Sequence, residues 1–208
     1  MERIDHNGTI LKVRLISSEV IEVVLHCPAV ALSAKPGQFV MLRLRGVLDP
    51  LLGRPFAIAA TEAETVTLLV QVVGKFTHLL KTLPPGTKAN LRGPMGNGYL
   101  ERPSDKKIIF VSCILGAAPL LFALQSFPEL KKREFVLGVP GKGWGGFVSY
   151  VEEKTQNIKV CSDDGTLGIK GNALAALPET LGNNEEIWAC GPLPMLKAMA
   201  RKYIEQAG

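Results

Sequence analysis

The sequence predicts two successive folds, a six-stranded antiparallel barrel and then a parallel sheet wound with helices, and three observations predict them. Residues 1–100 carry short β-branched runs split by turn signals. Residues 101–208 carry apolar strands that alternate with helix-like segments. Almost at the middle lies Gly93-Pro94-Met95-Gly96-Asn97-Gly98-Tyr99, whose glycines and proline read as an irregular connection closed by an aromatic. Taken alone this stretch is an interdomain loop. The sharper alternative sets Tyr99 against a ring-shaped ligand.

In the first half, residues 8–16 and 20–26 read as two strands joined by a turn at Ser17-Ser18. Pro36-Gly37 is a turn signal, and 38–45 follows as a third strand. Residues 56–60 and 65–73 form another pair across Glu62-Ala63-Glu64. A helix is expected over 75–83 after Gly74, and the last strand over 88–92 after Pro84-Pro85-Gly86. Strands this short and this evenly spaced favour a small barrel. In the second half, strands are expected at 107–112, 134–139, 158–162 and 186–190. Helices are expected at 119–127, 146–154, 172–177 and 192–206, with Pro192 near the last start, where its missing N–H costs nothing. Ligands of such a sheet lie beyond the carboxyl ends of its strands. That points to the loops 112–119, 162–171 and 191–195.

Composition narrows the function classes. The 208 residues are 47% hydrophobic and carry a formal net charge of +5. That charge favours an acidic or phosphate-bearing partner. The basic residues are dispersed apart from Lys131-Lys132-Arg133, which reads as a solvated helix end, and aromatics make up only 6%. Both facts argue against a nucleic-acid surface. The longest apolar stretch, 108–124, is broken by Ser112, Gly116 and Pro119, so no membrane span is expected. The amino terminus lacks the apolar core of a signal peptide. Cys27, Cys113, Cys161 and Cys190 lie far apart and show no metal-ligand spacing. The expectation is a cytoplasmic protein with reduced thiols and no metal site.

Two segments of the barrel half carry chemistry. In Arg54-Pro55-Phe56-Ala57 the proline fixes the chain direction, so the guanidinium ahead of it suits bidentate binding of phosphate oxygens. The plain alternative is a surface arginine. Gly74-Lys75-Phe76-Thr77 opens the expected helix, where free amides and the helix dipole attract an anion. The plain alternative there is ordinary capping.

Pro36-Gly37-Gln38-Phe39, Arg54 to Ala57, Gly74 to Thr77 and Gly93 to Tyr99, in that order, resemble the ferredoxin reductase-like flavoproteins. The closest resemblance is to the electron transfer subunit of bacterial dihydroorotate dehydrogenase and to related NADH-dependent ferredoxin:NADP oxidoreductase subunits. The resemblance implies a ferredoxin reductase-like fold whose barrel binds FAD. It implies that Arg54, Pro55, Phe56 and Ala57 hold the pyrophosphate and the flavin edge. Leu69, Val70 and Gln71 would line the cofactor, and Gly74, Phe76 and Thr77 would cap its phosphates. Tyr99 would approach the flavin. Two departures stand out. Ala57 replaces a hydroxyl residue that hydrogen-bonds the flavin in the family, and bulky Phe76 replaces a frequent glycine.

The second half extends the resemblance. Asp163-Asp164-Gly165-Thr166-Leu167-Gly168-Ile169-Lys170-Gly171 and Cys190-Gly191-Pro192-Leu193-Pro194-Met195 match family segments of the dinucleotide domain. Cys190, Gly191, Pro192 and Asp164 become site candidates, with Cys190 near the nicotinamide. Read without the resemblance, Cys190 is a small buried apolar residue and the two aspartates are turn formers. After the first strand the family has three glycines. Here Ser112, Cys113 and Ile114 stand in their place, and only Gly116-Ala117-Ala118-Pro119 matches. A β-branched Ile114 is expected to obstruct close approach of a pyrophosphate. Gly138 to Gly146 reads as an exposed glycine-rich loop, or as a docking surface built on Trp144.

The expectation is thus an FAD-binding barrel over 1–100 and an NAD(P)-binding-like domain over 101–208. The function implied is flavin-dependent electron transfer between NAD(P)H and a redox partner subunit, an iron–sulfur or flavin protein. The family's 2Fe–2S segment has no counterpart in this chain, so a one-electron relay is expected from the partner. The alternative is a flavin-bearing or structural subunit of a larger complex whose nucleotide domain no longer binds NAD(P). A free-standing reductase of a soluble acceptor is a further rival.

Overall fold

β-branched and aliphatic residues at alternate positions build the first unit as a closed antiparallel barrel. The computed structural model describes residues 4–99, 106–128, 130, 132–155 and 157–204. The chain divides into two compact units, 1–100 and 101–208. Leu100, Glu101, Lys131 of the basic run and residues 205–206 of the expected last helix lie outside the described residues.

The first unit runs β1 (Asp5–Leu15), β2 (Val20–His26), α1 (Pro28–Ala31), β3 (Phe39–Leu44), β4 (Arg54–Glu62), β5 (Thr65–Gln71), α2 (Lys75–Lys81) and β6 (Lys88–Met95). The strands close in the order β1-β2-β5-β4-β3-β6. Strand alternation sends Val40, Leu42 and Leu44 inward, where each is buried, while Met41 and Arg43 face out. Ile10, Leu25, Ile58, Leu68 and Leu91 complete a core from which water is excluded. The short helix α1 carries no periodic signal in four residues and was not expected.

One expectation needs correction. Gly93, Pro94 and Met95 are not an irregular connection but the end of β6. Met95 pairs with Phe39 beyond an irregularity in the β3–β6 register, and Gly93 donates to the Ile4 carbonyl at 2.8 Å. Gly93 takes φ +143°, a backbone state open to glycine alone, so a residue that normally breaks a strand here lets it bend and continue.

The second unit runs β7 (Lys107–Cys113), α3 (Ala117–Ser126), β8 (Arg133–Val139), α4 (Gly145–Glu152), β9 (Ile158–Ser162), β10 (Ile169–Lys170), β11 (Glu185–Cys190) and α5 (Leu193–Tyr203). Short 3-10 turns precede α3 and α4 and replace the expected helix at 172–177 with Ala173–Ala176. The strands are parallel, in the order β10-β9-β8-β7-β11. Phe110 stacks on Phe135 at 6.0 Å and meets Trp188 edge-on at 5.7 Å. Trp144, expected on an exposed loop, is 6% exposed and packs edge-on against Phe147. An apolar ring of that size gains more from the core than glycine neighbours gain from freedom, so no docking surface is built on it. No helix among the described residues is long and apolar enough to cross a membrane.

At the amino ends of the parallel strands four charges interlock. Lys107 reaches Glu134 at 3.0 Å and Glu185 at 3.2 Å, and Lys159 reaches Glu134 at 2.7 Å. The opposite, carboxyl ends are left for the loops.

Candidate functional site

In the first unit the barrel is zipped along only half of one seam. β4 pairs with β3 from Arg54↔Leu42 to Ala57↔Phe39. On its other side, pairing with β5 begins only at Ile58↔Leu68. Leu69, Val70 and Gln71 of β5 pair with Glu22, Ile21 and Val20 of β2, and with nothing on the β4 side among the described residues. Between Arg54–Ala57 and Leu69–Gln71 the two strands are therefore parted. Each lip of the parting carries backbone N–H and C=O groups without a strand partner.

α2 starts just beyond the upper lip. Thr77 Oγ1 accepts from the amides of Val73 at 2.9 Å and Gly74 at 3.0 Å, and donates to the Gly74 carbonyl at 3.0 Å. The Thr77 hydroxyl is thus fully engaged in shaping the turn. The first intrahelical bond runs from the His78 amide to the Gly74 carbonyl, so helix geometry leaves the amides at 75–77 free of intrahelical acceptors. Phe76 is buried and its ring stacks on Phe56 at 6.1 Å, which ties the start of α2 to β4. Arg54 is exposed, and its guanidinium donates to the Leu52 and Gly53 carbonyls at 3.2 and 3.3 Å. Lys75 pairs with Asp49 of the β3–β4 loop, drawing that loop toward α2. The sequence reading missed this pair, although Asp49-Pro50 is a turn dipeptide.

Tyr99 is fixed by its neighbours rather than by a regular element. Its amide donates to the Pro36 carbonyl at 2.7 Å, and its ring lies over Gly37, where a Cβ would come within 3.2 Å of it. Gln38 donates to the Gly96 carbonyl at 2.8 Å. These bonds hold the 96–99 segment at the start of β3, whose Phe39 pairs with Ala57.

In the second unit the chain winds outward from β7 through β8 and β9 to β10, then returns to place β11 on the other flank of β7. The crevice beyond the carboxyl ends of β7 and β11 is thus a topological switch point, where open parallel sheets take ligands. Gly116 lies so close to β11 that a Cβ there would collide with the Cys190 carbonyl. A Cβ on Gly191 would meet Met195 Sδ at 3.1 Å and Cys113 Cβ at 3.4 Å. Gly116 is also the N-cap of α3 and supplies no side-chain cap; the 3-10 turn before it takes the first amides of the helix on the Ile114 and Leu115 carbonyls, and Pro119 has no N–H to offer. Ser112 is fully buried beside Cys190, and its Oγ has no partner among the described residues. Ile114 has φ +49°, the left-handed state a glycine adopts freely. The expected obstruction thus sits on a backbone that follows a glycine's path. The sequence marked Cys113 and Ile114 only as departures from glycine, and the left-handed backbone at Ile114 was not foreseen, because no local pattern announces a left-handed isoleucine.

Burial pushes the Cys190 thiol up, so it stays protonated at neutral pH and offers an apolar contact rather than a nucleophile. Pro192 is the N-cap of α5. Asp164 is exposed and held below the usual carboxylate range, first by the Thr166 hydroxyl at 2.7 Å and then by the Thr166 amide at 2.9 Å. Its carboxylate also accepts from the Lys142 amide at 3.4 Å, so it pins its own loop to the one after β8.

Residues 7–99 match the oxidoreductase FAD-binding domain family. A dihydroorotate dehydrogenase B (NAD(+)) electron transfer subunit from Desulforamulus reducens is 31% identical over 212 residues, spanning 96% of this chain and 78% of its own. The subunit of the same name from Geobacillus kaustophilus is 32% identical, over 94% of this chain and 77% of its own. Among solved structures, an NADH-dependent reduced ferredoxin-NADP oxidoreductase superposes with a TM-score of 0.74 at 26% identity, covering 97% of this chain and 72% of that one. A ferredoxin NADP+ reductase from Neisseria gonorrhoeae shares the fold, with a TM-score of 0.76 at 17% identity. By this similarity over most of both chains, the protein belongs to the family of dihydroorotate dehydrogenase B electron transfer subunits, with an oxidoreductase FAD-binding domain in its first half.

Proposed function

We propose that this chain is an FAD-dependent electron transfer subunit that passes electrons between a nicotinamide dinucleotide and a redox partner subunit. The observation that carries the reading is the parted β4–β5 seam. The segments matched to the family's flavin-binding motifs, Arg54–Ala57, Leu69–Gln71 and Gly74–Thr77, all border it. FAD fits the chemistry of that border, because its ring edge carries donors and acceptors for the two open strand lips and its pyrophosphate suits the amides of α2. When bound, FAD supplies the redox chemistry, taking a hydride from a nicotinamide and releasing electrons singly or in pairs.

The protein's own residues bind, orient and exclude. Arg54 swings from its loop carbonyls to a phosphate, exchanging two neutral acceptors for a charged one. Leu69 and Val70 form a dry wall, and Gln71 is oriented by its bond to Glu19. Ala57 donates nothing, so the backbone alone meets the flavin edge there. Tyr99 covers the ring. In the second unit, the close backbone at Gly116 and Gly191 makes room for the dinucleotide, and the neutral Cys190 packs on the nicotinamide.

The rival reading, a nucleotide domain that no longer binds, rested on Ser112-Cys113-Ile114 and on Ala57. The left-handed backbone at Ile114 weakens the first of these grounds. The relatives' name carries NAD(+), which supports NADH as the donor. The partner follows from the same relatives, and an iron–sulfur or flavin protein fits an acceptor of single electrons.

An anaerobic absorbance titration tests the reading. The purified protein should show a flavin spectrum that NADH bleaches at lower concentration than NADPH. A flavin that only dithionite bleaches would move the chain to the rival reading, and absence of flavin after reconstitution would sink the proposal.

A further inference from the structure

On the outer face of the barrel, a second concave site opens. Its volume is about 550 Å³, within the range of roughly 300–1,000 Å³ typical of small-molecule sites. The floor is built by alternation on three adjacent strands. Met41 and Arg43 point outward from β3, and Arg92 and Asn90 face them from β6 in the pairs Met41↔Arg92 and Arg43↔Asn90. Asp5 closes the far side, paired with Arg92. Leu51 and Leu52, 47% and 70% exposed, form a lip from the β3–β4 loop.

The charges do not balance. Arg92 is satisfied by the Asp5 carboxylate through two bonds of 2.9 Å. Arg54, at the rim, reaches only neutral carbonyls among the described residues. Arg43 has neither an ion pair nor a hydrogen-bond acceptor among the described residues. Asn90, directly opposite, has a buried Oδ1 with no donor. An unmet guanidinium and three apolar side chains thus share one concavity, while the Asn90 Oδ1, an acceptor, offers an oxyanion nothing. A guanidinium fork matches the geometry of a carboxylate or phosphate, and Met41, Leu51 and Leu52 match an apolar or flat body.

We propose that this cavity binds a small organic oxyanion, a carboxylate or phosphate carried on a flat or apolar body, with Arg43 as its anchor. The site lies on the β3–β6–β1 face, whereas the flavin seam lies between β4 and β5, and Arg54 marks the border between them. The inference does not depend on flavin binding.

The test is isothermal titration of the full chain, with and without FAD, using phenyl phosphate, benzoate and inorganic phosphate. Phenyl phosphate should bind the FAD-loaded chain one to one and more tightly than inorganic phosphate. Arg43→Ala should weaken it at least about tenfold, and Arg43→Lys by less, since a lysine keeps the charge but not the fork. Leu52→Glu, at an exposed rim position, should abolish binding by placing a carboxylate beside the anion. Flavin content per chain should stay unchanged in the Arg43 variants. Equal affinity for Arg43→Ala and the parent overturns the proposal. So does binding only to the FAD-free chain, which would make the cavity part of the flavin's own seat. Equal affinity for phenyl phosphate and inorganic phosphate overturns the apolar half of the assignment. Flavin content and oxyanion affinity are separate readouts, so loss of one leaves the other interpretable.

Discussion

At Ile114 a β-branched side chain occupies a left-handed backbone, φ +49°, which costs an L-residue about 1–2 kcal/mol. In an ordinary loop, glycine is the less stable choice than alanine, because its unfolded chain is freer. Here the order should invert. Ile114→Gly should be more stable to urea than Ile114→Ala by about 1 kcal/mol, although glycine removes more of the side chain. The same glycine variant should bind NADH at least as well as the parent, checked by flavin bleaching. The reverse stability order would mean that the loop relaxes out of the left-handed state. The sequence showed the departure from three glycines but not its consequence. Residue identity reports what a backbone prefers, whereas the left-handed conformation of Ile114 is a property of the folded loop that leads to Gly116. Cys190 was legible as a site candidate through the Gly191-Pro192 that follows it. Its protonation state was not, because that depends on burial.

Among the elements, β2 and β9 were legible to the residue, since each is a short apolar run bounded by turn chemistry. The end of β6 was not, because glycine and proline signal breaks, and only pairing with Phe39 reveals a strand that continues through them. The parted seam was equally hidden. Arg54–Ala57 and Leu69–Gln71 look like ordinary strand sequence, and which side of each strand lacks a partner is a property of the sheet. α2 stands at the end of this seam on a single hydroxyl. Thr77→Val removes one acceptor for two amides and one donor, at near-constant volume. It should destabilise the first unit by about 1–2 kcal/mol and lower flavin content, whereas Thr77→Ser should retain most of both. Thermal unfolding followed by flavin release measures both effects. A Thr77→Val protein with full flavin and unchanged melting would deny the hydroxyl any role in shaping the turn before α2.

Across the whole molecule, the two units differ in how they hold charge. In the second unit, burial raises the Glu134 carboxyl, but the hydrogen bonds from Lys159 and Lys107 outweigh it and hold Glu134 below its usual value. Glu185 is lowered first by the Gly182 amide and then by Lys107. Lys107 is raised, chiefly by Glu134. A lowered carboxyl stabilises the fold fully above its unfolded value of about 4.3, and that stability is lost as pH falls through the folded value. A raised lysine acts in the opposite sense, its stability present below about 10.4 and lost as pH rises through the folded value. The second unit should therefore hold steady from about pH 5 to 8.5 and weaken on either side, since the thiols of Cys113, Cys161 and Cys190 are raised by burial and cost stability once the unfolded chain's thiols ionise. Both tryptophans, Trp144 and Trp188, lie in that unit, so their fluorescence reports it selectively. Glu134→Gln should cost about 1 kcal/mol at neutral pH, discounted for the partly exposed lysines, and should flatten the acid limb. An unaltered acid limb would deny the network that role. The half-zipped barrel has a further consequence in the life of the chain. Before its cofactor arrives, a newly made copy displays two short bare strand edges, and edges of that kind recruit strands from other copies. The yield of soluble protein in a cell is then set by how fast flavin is supplied relative to synthesis, and vitamin starvation becomes a route to aggregation.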